Sequence, residues 1–291
     1  MRLAAVLIPL LALGGSQPAA WTQTASLAAT LYAQSPRSWA DAGTANEDHI
    51  VNDKDEVPLR YRIRKVDAKG DTTREVIESR DGNVARMIER NGSPLTAEEN
   101  FAERDRLNDL LQSPETFLRH HRRDKAALGY ATELIRSLPQ AMIWTYAPGQ
   151  PQLPANTGRQ VVLDFLPDPQ FKPPTLVTEG LTALAGRVWL DARTHCMIRI
   201  EGRILRSVDF GWGGMLARVN GGGTVEFEQV PAGEQRWLFS HLDEHITVRE
   251  VMIHTVTEDT KMSAWNPHPL PAPVSFQDAI RELLAMPVPA K

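Results

Sequence analysis

The pentapeptide His241-Leu242-Asp243-Glu244-His245 is the string in this chain whose residue types and spacing come nearest to chemistry. It matches the H-x-x-E-H pattern of one class of zinc peptidases. That chemistry needs both histidines on one helical face, four apart, with the glutamate acting as base. The flanks read differently: Trp237-Leu238-Phe239 and Ile246-Thr247-Val248 are strand-like. On a strand, His241, Asp243 and His245 share one face while Glu244 points to the other. A secreted metal-dependent hydrolase with His241 and His245 as ligands is therefore the alternative reading, and the leading one needs neither metal nor cofactor.

Other strings carry less. Arg119-His120-His121-Arg122-Arg123-Asp124-Lys125 is a basic cluster on an expected helix. It suits an anionic surface or an acidic partner, or simply a solvated helix face. The glycines around Trp212 and at Gly221 to Gly223 precede no lysine-threonine pair, so they form no phosphate loop. The chain holds no G-x-S-x-G elbow and no dinucleotide fingerprint. Cys196, the single cysteine, has Met197 and Ile198 beside it and reads as a small buried hydrophobe within a strand. No catalytic residue is assigned.

The aromatic residues are more suggestive. Tyr61, Trp144, Tyr146, Phe165, Phe227, Trp237 and Phe239 all fall in expected strands. In one curved sheet with helices across its mouth, one set of alternating side chains faces inward. The ligand-binding candidates are then Tyr61, Ile63, Trp144, Tyr146, Val188, Leu190, Phe227, Trp237 and Phe239. The same side chains also suit a filled core between sheet and helices.

The elements that would position them follow from periodicity. Leu59, Tyr61 and Ile63 alternate with Arg60, Arg62 and Arg64, the period of a half-buried strand. Turns at Ala68 to Asp71 and at Asp81-Gly82 give a three-stranded meander closed by Asn91-Gly92. The period then lengthens. Thr96 and Glu99 form a capping box, Ser113-Pro114 restarts a second helix, and a third piece ends at Pro139. Strands return at Met142, Val161, Gly186, Met197, Leu216, Val225 and Trp237, and Ile246 to Val256 closes the set. Thr178 to Leu184 fits a short helix or a strand equally. Ser275 caps a last helix.

The helices are grouped, and crossover helices between strands are missing. The expected fold is α+β: a mainly antiparallel, strongly curved sheet, or half-barrel, with an inserted helical block at 96–138 packed on it. The expected divisions are a signal peptide at 1–20, an N-terminal helix and acidic arm at 21–56, and the β domain at 57–256. A proline-rich tail and C-terminal helix occupy 257–291. Arg2, the run Leu3 to Leu13 and the small residues after it have the plan of a secretory signal, with cleavage between 16 and 33. Eleven apolar-run residues fall short of the roughly 20 that cross a bilayer. The chain is expected in the periplasm or the medium, with no transmembrane segment.

The hairpin Gly186-Arg187-Val188-Trp189-Leu190-Asp191, a four-residue turn, then Met197-Ile198-Arg199-Ile200-Glu201 adds a further indication. With the signal segment and the Leu59-Arg60-Tyr61-Arg62-Ile63 strand, it resembles the periplasmic lipoprotein-carrier (LolA/LolB-like) group. The resemblance spans about residues 57 to 256. It implies a half-open barrel, a helical lid and a groove for acyl chains. The long insert and the proline-rich tail depart from the group.

Composition sets the outer bounds. The 291 residues carry 36 acids against 32 bases, a poor balance for wrapping phosphate backbones, so no nucleic acid is expected. One cysteine excludes a disulfide framework, and 42% apolar content excludes a wholly disordered chain. The leading expectation is an exported, non-enzymatic binding protein for a lipid-like ligand or lipoprotein acyl chains. An envelope module that binds another protein is the remaining alternative.

Overall fold

The alternation that opens at Leu59 makes β1 (Leu59–Asp67), which turns through two residues into β2 (Gly70–Ser79) and again into β3 (Gly82–Arg90). Asn91 and Gly92 both take positive φ, 52° and 71°, the geometry of a two-residue type I′ turn. They deliver the short β4 (Ser93–Pro94). The chain is described from a computed structural model, for residues 33–52, 57–154, 158–211, 217–233, 236–250 and 254–287. The expected signal peptide and nearly all of the expected Trp21–Gln34 helix lie outside them.

The helical block has two members. In α2 (Ala97–Gln112) the expected capping box is formed, Thr96 and Glu99 satisfying each other's backbone N–H groups. The two further pieces are one helix, α3 (Pro114–Ala141). Gly129 does not interrupt it, and Pro139 sits inside its last turn rather than ending it. The block therefore runs past 138 to Ala141. The Trp144 indole N–H donates to the Pro139 carbonyl, tying the helix end to the next strand.

That strand is β5 (Met142–Tyr146), followed by β6 (Gln160–Pro167), a 3₁₀ helix (Val177–Ala183), β7 (Leu184–Asp191) and β8 (Met197–Ile204). Two short strands, β9 (Val208–Phe210) and β10 (Ala217–Val219), precede β11 (Thr224–Pro231). The expected single closing strand is instead a long hairpin, β12 (Trp237–Glu250) and β13 (His254–Pro269). The sheet thus continues beyond 256, into segments where sequence suggested a proline-rich tail. Thr260, Lys261 and Ser263 are strand residues despite low apolar content, because β13 is paired on both sides, to β1 and β12.

Among the described residues all strands join one antiparallel sheet of 13 strands. Its path is β4-β3-β2-β1-β13-β12-β11-β8-β7-β6-β5, with β10 and β9 continuing off β12. The α+β class stands, and the half-barrel does not: β5 and β4 end opposite edges, and the sheet is neither closed nor strongly curled. Closure would need the tilt and stagger that let edge strands pair. Here the helices cover separate parts of an open sheet.

A second correction concerns the acidic segment. Pro36 to Asn52, expected as a linker, is helix α1. Its buried face is Trp39, Ala40, Gly43, Thr44 and Glu47, at helical spacing but nearly without aliphatic side chains. Gly43 lets the backbone approach Leu190 and Met197, where a Cβ would overlap a Leu190 methyl. At the other end of the sheet α4 (Phe276–Ala285) buries Phe276, Ile280 and Leu283 against Ile77, Val84, Leu107 and Phe117. Phe117 and Phe276 stack at 4.4 Å. Arg86, 1% exposed, donates to the carbonyls of Leu283 and Met286, and Arg104 donates to that of Leu284. Two cations thus close the carbonyl end of α4, where the helix dipole favours positive charge.

Candidate functional site

Register places most of the aromatic candidates on one side of the sheet. Phe227 faces Ile200, which pairs with Val188, then Leu163, then Tyr146. In the other direction the same side carries Leu242, Met262 and, along β1, Ile63 and Tyr61. Trp144 and Leu190 belong to it as well. The side is packed rather than open at both ends. Tyr61 is buried with Leu59, Val76, Leu238 and Ala264, with Ile63 and Phe239 against them. Trp144 is buried with its ring 5.3 Å from Phe165, and Val188 and Leu190 are buried. Trp237 packs elsewhere, on Val162, Trp189 and Ile198. None of the nine candidates lines either of the two cavities described below.

The opposite side of the sheet is a charged ladder. His241, Asp243 and His245 lie in β12 and face it, while Glu244 faces away, as strand geometry requires. Four residues along a strand separate the two histidines by about 13 Å, so they cannot share one zinc ion. Each has its own acid: His241 lies 3.8 Å from Glu226, and His245 lies 3.9 Å from Asp259. Asp243 is taken by Lys261 at 2.6 Å. Among the described residues no cluster of histidine, cysteine or carboxylate groups could hold a metal. Further along, Arg199 reaches Glu201, Glu226 and Glu228, and Arg187 binds Asp164 through two nitrogens. Arg187 and Arg199 both lie over Trp189, their guanidinium carbons 5.8 and 5.7 Å from its ring centre. Beside them is a shallow depression of about 580 Å³, floored by Gly186 and Gly202 and edged by Ile143, Leu166 and Arg203.

Cys196 is buried, but it precedes β8 rather than lying inside it. Its neighbours are polar. The Glu47 carboxylate of α1 accepts the Met197 N–H at 2.8 Å, and the thiol lies 3.6 Å away. The Gln229 amide donates to Glu47, at 3.0 Å, and to the Met197 carbonyl, at 2.8 Å. The cause is a register shift at Glu228 and Gln229, where the partner strand β12 carries an extra residue, Ser240, between His241 and Phe239. The pairing of β11 with β8 ends at Glu228, so Met197 lacks a strand partner on that side. Two side chains, from α1 and β11, take over its N–H and C=O. Burial raises the Glu47 carboxyl above its ordinary range, against the hydrogen bonds from Met197, Gln229 and Cys196. Burial, and then Glu47, push the thiol up, which suppresses the thiolate that nucleophilic chemistry requires.

A cavity of about 430 Å³ opens where β3 meets α2 and α3. Its position follows from the edge of the sheet. Beyond the two residues paired to β4, the outer side of β3 has no strand neighbour. Helix α2 supplies side chains instead. Glu103 accepts the Met87 N–H at 2.7 Å, and Arg106 donates to the Ala85 carbonyl at 2.8 Å. Glu103 and Arg106 also bind each other, at 2.7 Å. The cavity between this helix and the strand edge is lined by Val84, Ala85, Met87, Leu110 and Phe117. Arg74, Asn83, Thr116 and His121 line it as well. Gly82 admits the His121 ring, because a Cβ there would collide with Nδ1.

Sequence reasoning reached His121, through the basic cluster, and α2, through its capping box. It missed Arg74, Glu103, Arg106, Glu47 and Gln229. Their signals are single polar residues inside otherwise regular patterns, and only the pairing shows what each satisfies. No family model matches this chain, and neither a curated protein nor a solved structure matches it.

Proposed function

We propose that this chain is an exported, non-enzymatic binding protein that carries or senses a lipid-like ligand or a lipoprotein acyl chain. One observation carries the reading: the cavity between β3, α2 and α3, whose lining joins Val84, Ala85, Met87, Leu110 and Phe117 to a few polar side chains. Its volume falls in the range of small-molecule sites, which are apolar with a few placed polar groups. The resemblance to the lipoprotein-carrier group points to the same ligand class by a different location, at a sheet edge instead of a barrel lumen. Export rests on the N-terminal pattern of the sequence. No helix among the described residues is long and apolar enough to cross a membrane.

The test is direct. The purified chain is extracted and bound lipid identified by mass spectrometry, and uptake of a fluorescent fatty acid is measured. Wild type is expected to take up the probe. Leu110→Trp, which fills the cavity, is expected to abolish uptake while the chain stays folded. An empty protein with no uptake sinks the reading. A second reading, a module that docks another envelope protein, is favoured by Ile143 and Leu166, register partners exposed together at the β5 end. Crosslinking in the native envelope tests it, and recovery of no protein partner counts against it.

A further inference from the structure

The lining of the cavity does more than admit an apolar group, because its charges do not cancel. Glu103 is its one carboxylate, and that group is consumed. It accepts the Met87 N–H and binds Arg106 through both Nε and a terminal nitrogen, at 2.8 and 2.7 Å. Arg106 spends its remaining reach on the Ala85 carbonyl. These two charges form a closed pair that braces α2 on the edge of β3.

Arg74 has no such partner. It stands opposite Ile63 and Met87 across the sheet, and no acid of the described residues forms an ion pair with it. The neighbouring arginines of β1 are all engaged: Arg60 and Arg62 by Glu75, and Arg64 by Asp71. His121, whose ring lies against Gly82 at the β2–β3 turn, also lines the cavity. The lining thus combines a guanidinium that no described acid pairs with and an imidazole with the apolar side chains of Leu110, Phe117, Val84 and Met87.

We infer that this cavity binds a single-chain amphiphile with an anionic head, the head held between Arg74 and His121 and the chain laid on Leu110 and Phe117. The inference rests on the lipid-binding reading above and names its ligand class. A guanidinium pairs with a carboxylate or phosphate through two parallel hydrogen bonds, stronger than neutral ones. A neutral hydroxyl head returns one weaker hydrogen bond to Arg74 in place of the paired, charged ones. The volume, near the lower end for ligand sites, favours one acyl chain over two.

The experiment is calorimetric titration of the full chain with decanoate, decyl phosphate, decanol and inorganic phosphate, all below micelle-forming concentrations. Decanoate or decyl phosphate is expected to bind about tenfold more tightly than decanol. The stronger of the two identifies the head as carboxylate or phosphate. Arg74→Gln is expected to remove the advantage, bringing decanoate and decyl phosphate to the affinity of decanol. Equal binding of decanol and both anions in wild type overturns the inference and leaves the lipid reading standing. So does an anion advantage that survives in Arg74→Gln and His121→Asn. Phosphate binding as tightly as decyl phosphate overturns it too, since the chain would then contribute nothing. If no decyl compound binds, the lipid reading itself falls.

Discussion

Glu47 of α1 accepts the backbone N–H of Met197, 150 positions away in sequence, at 2.8 Å. A carboxylate thereby stands in for a missing strand, and it does so where water is largely excluded. Burial is the larger influence on its titration and raises it. The folded chain then holds this proton more firmly than the unfolded chain does. The corresponding stability is complete below the unfolded carboxylate value and is lost as pH rises through the folded one. In urea unfolding from about pH 4 to about pH 8, wild type is expected to lose stability relative to Glu47→Gln. Each tenfold difference in proton affinity between the folded and unfolded chains is worth about 1.4 kcal/mol of that loss. A difference that grows the other way would mean that the ionised form is the favoured one.

Gly186 and Gly92 are expected to respond to alanine very differently. At Gly186 a Cβ would strike the Glu201 carbonyl oxygen of the paired strand and come within 2.8 Å of the Phe165 ring. Neither can retreat, so Gly186→Ala should cost more than about 3 kcal/mol or prevent folding. At Gly92 nothing lies within 4 Å, and only the positive φ opposes a side chain. Gly92→Ala should cost about 1 kcal/mol. Thermal denaturation of the two variants checks the contrast.

Gln150 holds the loop after β5 against β6. Its amide accepts the Val162 N–H at 3.0 Å and donates to the Val162 carbonyl at 2.8 Å. Gln150→Leu leaves the Val162 N–H without a partner, at about 1–3 kcal/mol, while the Val162 carbonyl keeps the Ala147 N–H at 2.9 Å. Gln150→Glu keeps an acceptor for the N–H and should fall between leucine and wild type. Urea midpoints at constant slope give the ranking.

Arg86 closes the carbonyl end of α4 from beneath, and also binds Asn100 at 3.0 Å. Arg86→Met keeps much of the volume and removes every donor. It should cost about 3 kcal/mol and loosen α4 before the rest of the fold. Hydrogen exchange at Ile280 and Leu283 is expected to accelerate more than exchange in β7. Equal acceleration in both places would mean that α4 does not open separately.

His241→Ala should leave the zinc content of the purified protein unchanged, because His241 and His245 lie too far apart along β12 to share an ion. Elemental analysis of both proteins is sufficient. A stoichiometric zinc lost in the variant would restore the hydrolase reading.

The parts of this fold that follow local periodicity are legible in the sequence. The meander from Leu59, the capping box at Thr96 and the hairpin from Gly186 to Glu201 each repeat at the period of their own element. The strand context of the H-x-x-E-H string is legible for the same reason. Helix α1 is not, because its buried face relies on Trp39, Gly43, Thr44 and Glu47 instead of aliphatic side chains. Nor is the openness of the sheet. Alternation tells which residues share a side, and it places Tyr61, Phe227 and Val188 together correctly. It carries nothing about curvature, which depends on how edge strands meet. The cavity is hidden more deeply still. It lies where Glu103 and Arg106 fasten α2 to the edge of β3, and nothing in their spacing distinguishes them from a surface ion pair.

The loop from Ala147 to Gly158 has the proline, glycine and polar composition of a segment that accepts inserted residues. Its fastening says otherwise for one stretch. Gln150 reads Val162, Gln152 exchanges two hydrogen bonds with the backbone of Gln160, and the Gln160 amide answers at Leu153. Gln150 and Gln152 are two apart, as are their partners Val162 and Gln160, so the loop keeps the step of a strand with side-chain amides in place of backbone pairing. One added or deleted residue between Gln150 and Leu153 would put every amide out of phase at once. Length variation in descendants of this chain should therefore avoid those four positions, however permissive their composition looks.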